Sequence, residues 1–284
     1  MRPVDIVLAM MVAILWGVNF VAIKIGVMHI PPIFLMAVRF CLVAILLAPW
    51  LRYVTRQQIL PLLAITLTMS VGYFTLLFVG MHTVPAGETT ILVQSQVPLA
   101  AMMAMIFFRE RLSGRKVVGI IIGLIGVVVT VGLPQRSGEL LGVIFVLVAA
   151  FLWALSSNQI RALGKIHPLT LNGFTSLCAF PILWVISLKA EPGAWQVLPH
   201  ISWMVIGALF FMVVISTIIC YSLWFALLSR NPVSYIIPFI MLEPPAGLLT
   251  AHFVLDEPIY WHTVIGGVLC LLGLAFVTVQ KRVP

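Results

Sequence analysis

The sequence predicts an all-α integral membrane protein. Ten transmembrane helices are expected, folded as two inverted five-helix repeats, with both termini cytoplasmic. Three observations lead there. Of the 284 residues, 62% are hydrophobic and only 8% are charged, against roughly a quarter charged in a soluble domain. The apolar residues fall into ten runs close to the ~20 residues that span a bilayer. The pattern of one half returns in the other at a fixed spacing, which marks an internal repeat.

The runs cover roughly 4–26, 32–50, 59–80, 86–108, 114–133, 139–162, 168–188, 199–228, 233–254 and 260–280. The breaks carry turn residues: Pro31-Pro32, Arg56-Gln57-Gln58, Pro85, Ser113-Gly114, Pro134, His167-Pro168, Pro192-Gly193, Asn231-Pro232 and Glu257-Pro258. No connector is long enough for a soluble domain, so function is expected within the helices. The first run is too long for a signal segment and lacks a small-residue cleavage site, so it is expected to remain as the first helix.

The repeat is ungapped from Pro85–Gly126 to Pro232–Gly273. Pro85, Pro98, Glu110, Gly119 and Gly126 find Pro232, Pro245, Glu257, Gly266 and Gly273, each 147 positions on. The front of each half aligns at 137 instead: Leu15-Trp16 with Leu152-Trp153, Lys24 with Arg161, Pro31 with Pro168. The expected units are 1–134 and 135–284. Five helices per unit is an odd number, so the second unit enters the bilayer from the opposite side. Sites in such folds lie near the midplane, where the repeats meet.

Basic residues set the orientation. With the N-terminus cytoplasmic, Arg2, Arg52, Arg56, Arg109, Arg111, Arg115, Lys116, Arg161, Lys165, Arg230, Lys281 and Arg282 face inside. Lys24, Arg136 and Lys189 face outside, and Arg39 stays within the membrane. The net charge of +8 thus serves membrane orientation rather than nucleic-acid binding. Cys41, Cys178, Cys220 and Cys270 lie inside apolar runs without C-x-x-C spacing and read as packing residues. There is no Walker A sequence and no H-E-x-x-H. The six histidines fall near run ends without paired spacing, so no cofactor and no metal are expected. A membrane-embedded enzyme would need a cluster of reactive groups at one depth. The runs hold a single carboxylate at mid-membrane, Glu243. A channel would need a ring of matched polar groups.

The opening LWGVNFVAIKIG (15–26), PP (31–32) and VRF (38–40), with F-x-R-E-R-L-S-G at 107–114 and V-L-D-E-P at 254–258, resemble the EamA-type family of the drug/metabolite transporter superfamily. The resemblance covers nearly the whole chain. It is nearest to bacterial exporters of O-acetylserine and cysteine, mainly through the first helix and the VRF turn. It implies ten helices, a central cavity and secondary active efflux of amino acids across the inner membrane, with export of other metabolites or drugs as the alternative. The implied partners are a small-molecule substrate, protons and the lipid bilayer, with no nucleic acid. The chain is expected as a monomer or weak dimer. One departure is that Arg109-Glu110-Arg111 ends the first fourth helix while Asp256-Glu257-Pro258 ends its counterpart. Positive charge is missing where the orientation rule would remove it.

Glu243, in MLEPPAG, is the sharpest candidate for a site. A mid-bilayer carboxylate is costly, so it should face a cavity or a cation. It could bind a substrate ammonium or carry the coupled proton; the alternative is a permanent ion pair. Its repeat counterpart is Gln96. Arg39 could hold a substrate carboxylate by a bidentate contact, pair with Glu243, or snorkel to an interface. Together they could clamp a zwitterionic amino acid. Asn19, Gln94, Ser95 and Asn158 are other polar side chains at depth, and an interhelical hydrogen bond is the plain alternative for each amide. Trp16 and Trp153 occupy matching repeat positions and could line the cavity or simply pack. Pro98, Pro238, Pro244 and Pro245 are expected to kink the fourth and ninth helices, as gates or as fixed bends. Lys24 is expected to snorkel outward. Gly119, Gly123 and Gly126, with Gly266, Cys270 and Gly273, permit close helix contact, between the two halves or between subunits.

Overall fold

The computed structural model describes residues 2–109, 113–131, 138–231 and 236–278. Glu110, Arg111, Pro134, Arg136, Pro232, Lys281 and Arg282 lie outside that set, as does the side chain of Pro238. The described residues form helices and turns, with no strand among them. In order the helices are α1 (Pro3–His29), α2 (Pro32–Tyr53), α3 (Arg56–Thr83), α4 (Ala86–Phe108), α5 (Gly114–Val131), α6 (Glu139–Leu163), α7 (Pro168–Ala190), α8 (Trp203–Leu228), α9 (Phe239–Leu255) and α10 (Trp261–Val277). Seven of them, α1–α4 and α6–α8, are long and apolar enough to cross a membrane. The others are shorter apolar helices. The eighth run was expected to begin at 199. Pro199 instead ends up in a 3-10 turn, Ala194–His200, and α8 starts at Trp203.

Besides the 3-10 turns that close α2 (Ala48–Tyr53) and open α3 (Arg56–Gln58), four helices change pitch along their course, which the apolar pattern did not reveal. α3 contains a π-helical stretch, Thr66–Tyr73, and α8 contains one at Phe211–Cys220. α4 tightens to 3-10 at Val93–Ser95 and resumes at Gln96. α9 is entered through a 3-10 stretch, Ile237–Leu242, and becomes α-helical at Glu243. Pro98, Pro244 and Pro245 therefore sit in the first turn of the resumed helices. There the missing N–H leaves no bond unmade, so they mark the breaks rather than kink a continuous helix.

The backbone carries the sequence spacing. α3 and α8 start 147 positions apart, as do α5 and α10, and α4 and α9 end 147 apart. Arg109 and Asp256, also 147 apart, are left-handed with φ 53° and 54°, the only non-glycine residues with positive φ among those described. α2 and α7 end 137 apart, at Tyr53 and Ala190. The extra residues of the second half thus lie between α7 and α8, around the 3-10 turn.

α5 and α10 meet through their matched glycines. A Cβ on Gly126 would come within 2.8 Å of Gly266 O and 2.6 Å of Cys270 N, and one on Gly119 within 2.8 Å of Gly273 O. Cys270 Sγ lies 3.5 Å from the carbonyl oxygen of Gly123, its own counterpart. Contacts that pair position i with j and j with i are those of a twofold axis. The small-residue seam is filled within the chain.

Charged side chains close the helix ends. The Glu257 carboxylate accepts from Ala86 N (2.8 Å) and Gly87 N (2.9 Å) at the start of α4. Glu191 accepts from Ile33 N (3.0 Å) and Phe34 N (2.8 Å) at the start of α2. Lys24 does not simply snorkel: its Nζ donates to the carbonyls of Met81 (2.6 Å) and Val84 (2.9 Å) at the end of α3. Both carboxylates and the ammonium sit where the helix dipole favours their sign.

Gly126→Leu should disrupt the α5–α10 seam, because the obstructing atoms are backbone. The expected cost is ~3 kcal/mol or more, read as a Tm lowered by roughly 5–10 °C in detergent. Gly114→Ala, with nothing within 4 Å of the added Cβ, should leave Tm within about 2 °C.

Candidate functional site

The helix breaks surround a cavity of about 430 Å³. α1 contributes Trp16 and Asn19, α2 Arg39, α3 Tyr73 and Phe74, α4 Gln96, α6 Trp153 and Ser157, α8 Ser216, Tyr221 and Trp224, and α9 Glu243. Six candidates chosen from sequence thus face one space: Glu243, Gln96, Arg39, Asn19, Trp16 and Trp153.

Gln96 and Glu243 each stand where a 3-10 stretch gives way to an α-helix. Their own backbone N–H groups bond back into the 3-10 turn, Gln96 N to Val93 O and Glu243 N to Ile240 O. Gly17 lets α1 approach this turn of α9. A Cβ there would collide with Glu243 O.

Arg39 is only 4% exposed. Its Nη2 donates to Thr217 Oγ1 at 3.2 Å, and its guanidinium lies 4.9 Å from the Phe74 ring centre and 5.8 Å from that of Phe78. Such cation–π contacts supply ~1–2 kcal/mol when desolvated. Nε and Nη1 are buried and have no hydrogen-bond partner among the described residues. Arg39 and Glu243 share the cavity without an ion pair between them. Tyr73 and Tyr221 lie within electrostatic reach of both charges.

The walls are aromatic. Trp16 packs on Tyr221 at 5.3 Å and Trp224 at 5.2 Å. Trp153, its repeat counterpart, packs on Tyr73 at 4.8 Å and Phe74 at 6.5 Å. Trp16 Nε1 donates to Ser216 O at 3.3 Å, a carbonyl within the π-helical stretch of α8, where the widened pitch frees backbone acceptors.

The remaining candidates are placed elsewhere. Asn158 Nδ2 donates to Ala100 O (3.2 Å) and Ala154 O (2.8 Å), joining α6 to α4, so its amide is used in packing. Gln94 lines a small enclosed void with Ser95 and Pro98 against the α5–α10 seam. Its amide also lies beside the Glu243 carboxyl group. Pro244 is buried, and its carbonyl faces the Thr90 hydroxyl at 3.4 Å. Pro245 does not line the cavity either.

Sequence reasoning missed Tyr73, Tyr221, Trp224, Thr217 and Ser157. A signal existed for two of them. Tyr221 and Trp224 lie 147 positions after Phe74 and Leu77, which also line the cavity.

Residues 4–132 and again 140–279 match the EamA-like transporter family. The chain belongs to this family. It is 32% identical over 282 residues to a "Probable amino-acid metabolite efflux pump" of Escherichia coli, covering 95% of this chain and 93% of that protein. A protein of the same description from Salmonella typhimurium is 32% identical over 278 residues, covering 94% and 92%. An "Uncharacterized transporter" of Archaeoglobus fulgidus is 28% identical and covers 98% and 99%. A crystal structure with 17% identity aligns over 98% of this chain and 97% of its own, with a TM-score of 0.64. At that identity the likeness is one of fold. As a member of the family, this is a multi-pass membrane protein of the transporter class.

Asn158→Ala should lower stability by about 1 kcal/mol and leave ligand affinity unchanged. Gln96→Ala should do the reverse. Thermal unfolding in detergent and ligand titration on the same samples check both.

Proposed function

We propose that this EamA-family protein exports small metabolites across the bacterial inner membrane by alternating access, with amino acids such as cysteine or O-acetylserine as substrates. The observation that carries this is a closed set of opposite charges that do not meet. Arg39 offers unpartnered N–H donors to a carboxylate, and Glu243 offers an acceptor to an ammonium, across one cavity. The two efflux pumps at 32% identity support amino-acid metabolites as the class. Glu243 also carries the coupled proton in this reading, making the protein an antiporter. Asn19, Gln96, Trp16 and Trp153 complete the binding surface, while Gln94 and Asn158 support it through packing.

The architecture behind the proposal is ten transmembrane helices in two inverted five-helix units, 1–134 and 135–284, with both termini cytoplasmic. The double family match, the shared spacing of helix ends and the paired pitch changes support it. Pro98, Pro244 and Pro245 would let the resumed halves of α4 and α9 swing at their breaks.

A second reading, export of larger metabolites or drugs, draws on the cavity itself. About 430 Å³ with seven aromatic lining residues is in the range of pockets for drug-sized ligands, well beyond what cysteine fills.

Counterflow in proteoliposomes tests these readings. Wild type should exchange labelled cysteine or O-acetylserine, and an inward proton gradient should accelerate export. Glu243→Gln should still exchange but ignore the gradient. Arg39→Gln should raise KM for free amino acids by about tenfold or more. Exchange of bulky apolar compounds with none of the two amino acids would favour the second reading.

A further inference from the structure

Arg39 is a buried guanidinium on a flexible stem, so something must aim it. Its only hydrogen bond among the described residues is to the Thr217 hydroxyl. Thr217 is 5% exposed and lies in the π-helical stretch of α8. Its hydroxyl donates to Met212 O, five residues back, at 2.8 Å. With its proton committed to the backbone, Oγ1 is left as an acceptor facing Arg39. The wider π turn creates this geometry, since the carbonyl reached is at i−5 rather than at the i−4 of a regular helix.

The other repeat offers an internal comparison. The position equivalent to Thr217 is Ser70, in the π-helical stretch of α3. The position equivalent to Arg39 is Ser176 on α7, and α7 packs against that stretch as α2 packs against α8. Ser70 Oγ is fully buried without a hydrogen-bond partner among the described residues. The hydroxyl thus occurs in both halves, but only the half with the cation uses it.

We propose that Thr217 is the positioning residue for Arg39: its hydroxyl, oriented by Met212 O, holds Nη2 so that Nε and Nη1 stay free for a substrate carboxylate. The role of those free donors rests on the function proposed above; the positioning of Arg39 does not.

Arginine-selective 15N NMR in detergent tests the positioning without any substrate, with Arg39→Gln identifying the Arg39 signals. Wild type and Thr217→Ser should show restricted rotation of the guanidinium. Thr217→Val should show averaged signals, and Ser70→Ala should match wild type. Restricted rotation persisting in Thr217→Val would overturn the proposal. Transport then separates the two claims. The ratio of KM for the O-acetylserine methyl ester, which lacks the carboxylate charge, to KM for O-acetylserine should fall about tenfold in Thr217→Val with kcat nearly unchanged. Thr217→Ser should restore the ratio, which a purely structural role would not require. If the NMR behaves as expected but Arg39→Gln leaves that ratio unchanged, positioning stands and the carboxylate role of Arg39 falls.

Discussion

A bilayer core offers no hydrogen-bond partners, so every backbone group released by a helix end or a break must be satisfied from within the protein. This constraint explains where the few charges of the chain go. Glu257 and Glu191 take the exposed N–H groups of α4 and α2, and Lys24 takes the last carbonyls of α3. It also explains why the pitch changes gather at the cavity. A π or 3-10 stretch facing lipid would expose unpaired carbonyls. Beside the cavity, Ser216 O finds Trp16 Nε1, and deeper in α8 Met212 O finds the Thr217 hydroxyl. In α8 the Trp16 and Thr217 side chains complete the break.

Arg39 and Glu243 do not follow the same rule. A charge at mid-membrane disfavours insertion by about 3 kcal/mol, and neither side chain closes a helix end. Nor do they neutralise one another. Had they formed a tight pair, an apolar replacement could have been equally stable, and the pair would have blocked the cavity. Held apart, both stay available to a third group. The aromatic faces of Phe74 and Phe78 offset part of the desolvation of Arg39 without consuming its donors. That arrangement makes sense for binding and little sense for stability.

The large features were legible because they depend on hydrophobicity and spacing. The apolar runs located the helices, and the 147-residue spacing pointed to Gln96 and Glu243 as a pair, which share one cavity. The pitch changes were not legible. An extra residue in a π turn leaves the apolar pattern intact, since both sides of such a helix are apolar. For the same reason Thr217 looked like one more hydroxyl among Val, Ile and Met, and only the i−5 bond gives it a direction. Asn158 and Lys24 left two readings open for a different reason: a polar side chain at depth has either a ligand or a backbone group to meet, and composition does not say which. Ala100 O and the end of α3 are brought to them by tertiary packing alone.

The symmetry of the scaffold and the asymmetry of its charges have a joint consequence. The seam-forming small residues, the tryptophan at Trp16 and Trp153, the π and 3-10 stretches beside the cavity and the left-handed ends of α4 and α9 each occur once in either half. In an inverted repeat such elements can exchange environments, which is how one fold can open to either side. The charges cannot exchange. The mate of Arg39 is Ser176, and the mate of Glu243 is Gln96. A zwitterion bound between α2 and α9 would therefore keep one orientation relative to the chain while the barrier around it moved. A site with two equivalent carboxylates would bind in either sense and would hold a cation from both sides. In the function proposed above, one carboxylate and one guanidinium, each contributed by a different repeat, would instead bind a molecule whose two ends differ, and both repeats would stay in contact with it throughout the cycle.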